Sequence, residues 1–348
     1  MNTFFSVVIL VLFMSLFVYL MYKIVTNTLG DGNSNSTTDS ASGEPPYNDT
    51  PTAAQQAEYN SVRSSAGTGI VATTSTGFSL RDVVIKASYN SAFTGTYVNL
   101  DMIKEVLSRG CRFLDFQVFV RNGNVVVGYS NATYDPSFTS MTSLNCLSLA
   151  GVCTTIMANA FSDTSPNKDD PLFVQFHIKT LLTDSYETIA AILSASFSEK
   201  LYGDSVSGTA TPVTPEATKI SEIMGKIVIL IDAPQIQDSL AKMTNLSSGT
   251  ATVPMYNEAE LVKQMYSPSN NSPYLFRIVQ PTLGFYLGLT NADSKVIIYN
   301  YGAQVVTEAF YINDNNLNAY EKLFENFNSA IVPMTSLIGY IKNSQKSV

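Results

Sequence analysis

The sequence predicts an α/β fold: a TIM-type β/α barrel, regular or distorted, preceded by one N-terminal transmembrane helix and a flexible linker. Three observations carry this expectation. From residue 78 onward, near-continuous apolar strands alternate with amphipathic helical segments, the pattern of a parallel sheet covered on both faces. Residues 4–22 contain no charge, proline or glycine. Residues 26–77 are polar and of low complexity. The expected organisation is an anchor at 1–25, a linker at 26–77 and a barrel domain at 78–348.

The anchor comes first. Nineteen residues at 1.5 Å rise span about 28 Å, close to the hydrocarbon thickness of a bilayer. Tyr19 and Tyr22 sit near one end, where amphipathic rings favour an interface, and Lys23 follows. A cleaved signal peptide is the alternative, but it ordinarily carries a basic segment before a shorter apolar core. The linker TNTLGDGNSNSTTDSASGEPPYNDTPTAAQQ holds too few apolar residues to repay its ordering entropy. Glycosylation sequons occur at Asn35, Asn48, Asn131, Asn245 and Asn270.

Within the domain, DVVIKA (82–87) reads as a strand and VNLDMIKEVLSRG (98–110) as a helix with Leu100, Ile103, Val106 and Leu107 on one face. CRFLDFQVFV (111–120) is a strong strand, and a turn at Asn122-Gly123 leads into VVVGY. LSLAGVCTTIMANAF (147–161) and YETIAAILSASF (186–197) read as helices around the strand PLFVQFHI (171–178). KIVILID (226–232) is a buried strand, and NEAELVKQMY (257–266) a short helix. YLFRIVQ (274–280), KVIIYN (295–300) and QVVTEAF (304–310) read as strands, NLNAYEKLFENF (316–327) as a closing helix and AIVPM (330–334) as a last strand. The number of units favours a closed barrel over an open sheet.

Composition excludes some functions. The formal net charge is −8, and only 14% of residues are charged, against roughly 25% in an ordinary soluble chain. No basic run offers a footprint for nucleic acid. Three cysteines, Cys111, Cys146 and Cys153, make no CxxC pair, so neither a zinc nor a redox site is expected. Cys146 and Cys153 either pair or remain buried thiols.

The strands carry a resemblance. Ala87-Ser88-Tyr89-Asn90-Ser91 is similar to the Ser-His-Asn-Ser/Thr motif of the phosphatidylinositol-specific phospholipase C X region. GCRFLDFQVF (110–119) is similar to that family's Gly-x-Arg-x-Leu-Asp/Glu strand, and NVVVGY (124–129) to the strand bearing its second histidine. PLFVQFHIK (171–179), MGKIVILID (224–232) and YGAQVVTEAF (301–310) resemble later barrel segments in the same order. The resemblance implies a TIM-barrel phosphodiesterase in which one histidine serves as general base and another as general acid.

This chain has one histidine, His177, so a two-histidine mechanism is impossible within it. Tyr89 stands at the first histidine position and Tyr129 near the second. Gln117 stands where the family carries a calcium-binding acid or an arginine. The candidate residues of a vestigial pocket are therefore Tyr89, Asn90, Asp115, Gln117, Tyr129 and His177, with no catalytic residue, metal or cofactor expected.

The expected function is a catalytically inactive, membrane-anchored phospholipase C-like domain, structural or protein-binding, that links an internal viral membrane to a capsid. Its expected partners are a lipid bilayer through residues 4–22, neighbouring coat or capsid proteins and a phospholipid headgroup, with no nucleic acid. Its expected location is a single-pass membrane protein of a virion, or alternatively of a cell surface or endomembrane. Two rivals remain. A module binding an inositol phosphate or phospholipid headgroup would need Lys86, Arg112 and Lys179 to converge on the pocket. A divergent phosphodiesterase using Asp115 and His177 would need those two within reach of one bound oxygen.

Overall fold

Strands and helices alternate through a computed structural model that describes residues 46–64, 68–130, 141–204, 206–258, 261, 275–281 and 290–346. Helix α1 (Ala53–Val62) precedes the domain. Then come β1 (Val83–Ser88), α2 (Leu100–Ser108), β2 (Phe113–Arg121), β3 (Asn124–Gly128), β4 (Leu147–Ser148) and α3 (Leu149–Ala160). Strand β5 (Leu172–Ile178) and α4 (Ser185–Phe197) lead to a small hairpin, β6 (Gly203–Asp204) and β7 (Thr209–Ala210). After α5 (Ile220–Ile223) follow β8 (Ile227–Asp232), α6 (Asp238–Ala241), β9 (Leu246–Ser247), β10 (Met255–Asn257) and β11 (Ile278–Gln280). The chain closes with α7 (Ser294–Tyr301), β12 (Val305–Glu308), α8 (Asn315–Glu325), β13 (Ile331–Pro333) and α9 (Met334–Lys346).

Eight parallel strands run in the order β10-β11-β12-β1-β2-β5-β8-β9. The antiparallel β3 extends β2, and β13 pairs with the first half of β1. The strands alternate as a pleat requires. Ile85, Phe113, Phe173, Val228, Ile278 and Val305 fill one buried layer. Val84, Leu114, Val174, Ile229, Val279 and Val306 belong to a second layer that includes Ile103 of α2, Val152 of α3 and Ile189 of α4. Local signals set the ends: Asn99 caps α2 through Asp101 N, and Ser148 caps α3 through Gly151 N. Gly110 has φ +84°, and a Cβ there would lie 2.9 Å from Ile70, so both backbone and packing require glycine.

Several expectations need correction. The barrel is not closed: the sheet is a curled, open half-barrel in which β9 and β10 are unpaired with each other among the described residues. Strands β9, β10 and β11 have only two or three residues each, which leaves few ladder hydrogen bonds to complete a ring. The stretch KVIIYN is a helix. Its β-branched residues favour a strand, but Asp293 accepts from Lys295 N and Val296 N at one end, and Gly302 ends it at φ +59°. The expected linker is ordered in part, since α1 lies within it. The helix expected at 257–266 falls largely outside the described residues, and β10 takes its first residue.

The membrane anchor is also corrected. Among the described residues no helix is long and apolar enough to cross a membrane. The segment 4–22, on which that expectation rested, lies outside those residues. The transmembrane helix, bilayer contact through 4–22 and single-pass location, whether virion, cell surface or endomembrane, are therefore not retained. The three cysteines are buried thiols, and Cys146 and Cys153 form no disulfide. Asn245 is buried and donates to Tyr202 O and Thr211 O, so its sequon is closed to a glycan in the folded chain.

Candidate active site

Strand parity brings six polar side chains to one face, toward one end of the sheet. In β2, Phe113, Asp115 and Gln117 share a face; in β5, so do Phe173, Gln175 and His177. In β8, Val228, Leu230 and Asp232 follow the same rule, and in β11 Ile278 precedes Gln280. The strands are parallel, so their polar C-terminal residues emerge together. Gln117, His177 and Asp232 form one row of the ladder. In parallel α/β barrels the loops beyond this end build active sites.

His177 is the centre of the cluster. Its Nε2 lies 2.6 Å from Asp115 Oδ1, and its Nδ1 lies 2.9 Å from Asp232 Oδ2. Gln280 Nε2 lies 3.0 Å from His177 Nε2 and 3.3 Å from Asp115 Oδ1. Burial alone would lower the imidazole pKa, but Asp115 and Asp232 outweigh it and push it to about 9. The ring is therefore an imidazolium at neutral pH, donating from both nitrogens. Burial depresses the nearby Lys179 ammonium, and the charges of Asp232 and Asp115 partly offset that effect. Two carboxylates and two cations thus nearly balance in a shielded place.

The loop after β1 holds Asp115 from behind. Asn90 N donates to Asp115 Oδ2 at 3.1 Å, Ser91 N to Asp115 O at 2.8 Å, and Asp115 N to Ser91 Oγ at 2.9 Å. Asn90 reaches Asp115 through its backbone, at φ +41°, a conformation asparagine tolerates better than most residues. Gln117 Oε1 accepts from Ser130 N at 2.9 Å and so ties β2 to the following loop.

Tyr89 and Tyr129 are buried beside this cluster. Phe93 stacks at a tilt on Tyr129, centroids 4.4 Å apart, and edge-on against Tyr311 at 4.9 Å. Burial, then the Asp115 charge, holds the Tyr89 phenol well above its ordinary range, and burial pushes Tyr129 up to about 12. Neither phenol can replace a histidine as a neutral-pH base.

The structure thus joins Asp115 and His177 directly, with Asn90 in attendance. Asp232 and Gln280 complete the site but carry no motif. Their signal was positional: each ends an apolar strand with the parity of His177. Lys86 and Arg112 do not converge on the site. Lys86 Nζ donates to Arg109 O and Glu321 Oε1, and Arg112 donates to Ala160 O, Ser165 Oγ and Asn167 O. Among the described residues no group of three or more His, Cys, Asp or Glu side chains could hold a metal ion.

Comparison with known proteins places this architecture. The family model for the phosphatidylinositol-specific phospholipase C X domain matches residues 78–232. PLC21 from L. pealei superposes with a TM-score of 0.59 at 16% identity, covering 74% of this chain and 37% of its own. PLC21 from S. officinalis gives a TM-score of 0.58 at 15% identity, covering 76% of this chain and 38% of its own. The fold is that of the phospholipase C-like phosphodiesterase superfamily. This chain spans less than two fifths of the length of those two solved structures. No curated protein matches it significantly. The matches are to phospholipase C structures, and none supports the expected coat or capsid partnership, which is not retained.

Proposed function

We propose that this chain is a divergent phosphodiesterase with a single-histidine acid–base centre. The observation that carries the reading is the direct contact of His177 with Asp115, backed by Asp232, at the C-terminal end of the parallel strands. The rival headgroup-binding reading needed three converging cations, and two of them are committed elsewhere.

The chemistry closes with the chain's own groups. Asp115 accepts the proton of an attacking hydroxyl, from water or from the substrate, as that oxygen bonds to phosphorus. The bond from phosphorus to the leaving oxygen breaks, and the His177 imidazolium supplies the proton that oxygen needs. Asp115 is then neutral and His177 is a neutral imidazole. Proton transfer across their 2.6 Å contact restores both. Asp232 orients the ring and stabilises its charged form, and Lys179 offers positive charge to the phosphate oxygens. Substrate entry has to displace Asp115 from Nε2, because that nitrogen's proton is already engaged there.

Turnover of phosphatidylinositol and glycerophosphodiesters tests the reading. The full chain is expected to hydrolyse at least one of them. Asp115→Asn and His177→Gln should each lower kcat by at least 100-fold, roughly the contribution of one general acid or base. No turnover of either class, or turnover indifferent to both substitutions, would overturn it and return the inactivity expected from the missing histidine pair.

A further inference from the structure

A strap of chain at residues 46–62 lies against both loops on the Asp115 side of the site, and the reaction above makes no use of it. One loop follows β1 and contains Tyr89, Asn90 and Ser91. The other joins β3 to β4 and begins with Tyr129. They are tied together: Val98 N donates to Asn145 Oδ1 at 2.8 Å, Asn145 Nδ2 to Val98 O at 2.9 Å, and Leu144 N to Thr96 O at 3.0 Å.

The strap grips the loop after β1 with one carboxylate and the end of β4 with another. Glu58 Oε1 accepts from Thr94 Oγ1 at 2.5 Å, Thr96 N at 2.8 Å and Tyr97 N at 3.1 Å. Asp49 accepts from Ser148 N at 2.7 Å and Ser148 Oγ at 2.5 Å. Asn48 N donates to Cys146 O, and Cys146 N to Pro46 O, each at 3.0 Å. A capping box fixes the helix that presents Glu58: Thr52 Oγ1 accepts from Gln55 N, and Gln55 Oε1 accepts from Thr52 N. One oxygen of Glu58 thus satisfies three donors of a turn that would otherwise depend on water. The turn ends a loop whose other end supplies three of the hydrogen bonds around Asp115.

We infer that the strap is a positioning element of the site and that Glu58 is its positioning residue. By fixing Thr94–Tyr97, Glu58 keeps Asn90 and Ser91 against Asp115 and thereby sets the Asp115–His177 contact. The inference concerns geometry; only its kinetic consequence rests on the phosphodiesterase reading.

The test compares Glu58→Ala and Glu58→Gln in the full chain by residue-resolved amide exchange and by NMR titration of the single histidine. Glu58→Ala should speed exchange at Thr96 and Tyr97 at least tenfold. It should also speed exchange at Asn90 and Ser91 and move the His177 midpoint down from its value near 9, with β5 amides unchanged. Glu58→Gln keeps an accepting oxygen and should restore most of both signals. Thr94→Val, which removes one of the three donors, should give the same changes at smaller amplitude and serves if Glu58→Ala loses its fold. Faster exchange confined to 94–97, with Asn90, Ser91 and the His177 midpoint unmoved, would overturn the inference. If the chain hydrolyses a phosphodiester, Glu58→Ala should lower kcat with KM little changed; if it hydrolyses none, exchange and titration still decide the inference.

Discussion

The two halves of the sheet are built differently. Strands β1, β2, β5 and β8 have six, nine, seven and six residues. Strands β9, β10, β11 and β12 have two, three, three and four. The long-strand half supplies Asp115, His177 and Asp232, and the family model ends at Asp232. The short-strand half adds Gln280. The proposed acid–base centre needs its groups held to within a fraction of an ångström, and continuous ladders between fully buried strands do that. The short half can deform at less cost to the centre, and it leaves the sheet open.

The contrast can be broken by matched core truncations. Ile229 and Ile278 are both fully buried. Isoleucine-to-alanine changes in cores cost about 2–5 kcal/mol, with the spread set by how far the site collapses. Ile229→Ala should fall near the top of that range and Ile278→Ala near the bottom in denaturant unfolding. Equal losses would remove the distinction.

A smaller effect is expected at Glu308, at the end of β12. It is fully buried, and neither carboxylate oxygen has a hydrogen-bond partner among the described residues. Burial, and then the charges of Asp314, Glu258 and Asp293, hold its carboxyl neutral well above the ordinary range. The unfolded chain ionises there above about pH 4.5 while the folded chain does not, so stability falls as pH rises. The slope is about 1.4 kcal/mol per pH unit while the difference lasts. Glu308→Gln should abolish this slope and stabilise the protein by about 1–3 kcal/mol at pH 7. Destabilisation at every pH would mean that Glu308 carries a favourable contact.

The smallest effect belongs to the strap. Thr52→Ala removes the cap of α1 and should cost about 1 kcal/mol of local stability. Amide exchange should rise in α1 and leave β2 and β5 unchanged.

The sequence carried the long half well and the short half poorly, for physical reasons. Apolar runs such as KIVILID and PLFVQFHI announce buried strands because both faces are covered. Strands β9, β10 and β11 are too short to show a period. KVIIYN has strand composition but is capped as a helix by Asp293 and Gly302, and the caps prevail. Helix α1 was missed, because it lies in a polar stretch read as linker and its local signal is only the capping-box pair Thr52 and Gln55. In the site, the count of one histidine decided against a two-histidine mechanism. The partnership of His177 with Asp232 and Gln280 was not legible, because strand order and register create it across residues far apart in sequence.

The central claim is that one imidazole is held between two carboxylates. Its stabilising effect is fully present below the unfolded histidine pKa near 6.5 and is lost as pH rises through about 9. Because the chain has a single histidine, NMR titration of its ring reads the claim without ambiguity. The predicted midpoint is about 9 in the folded chain, falling in Asp115→Asn and in Asp232→Asn. A midpoint at or below the ordinary value near 6.5, unmoved by either substitution, would contradict it.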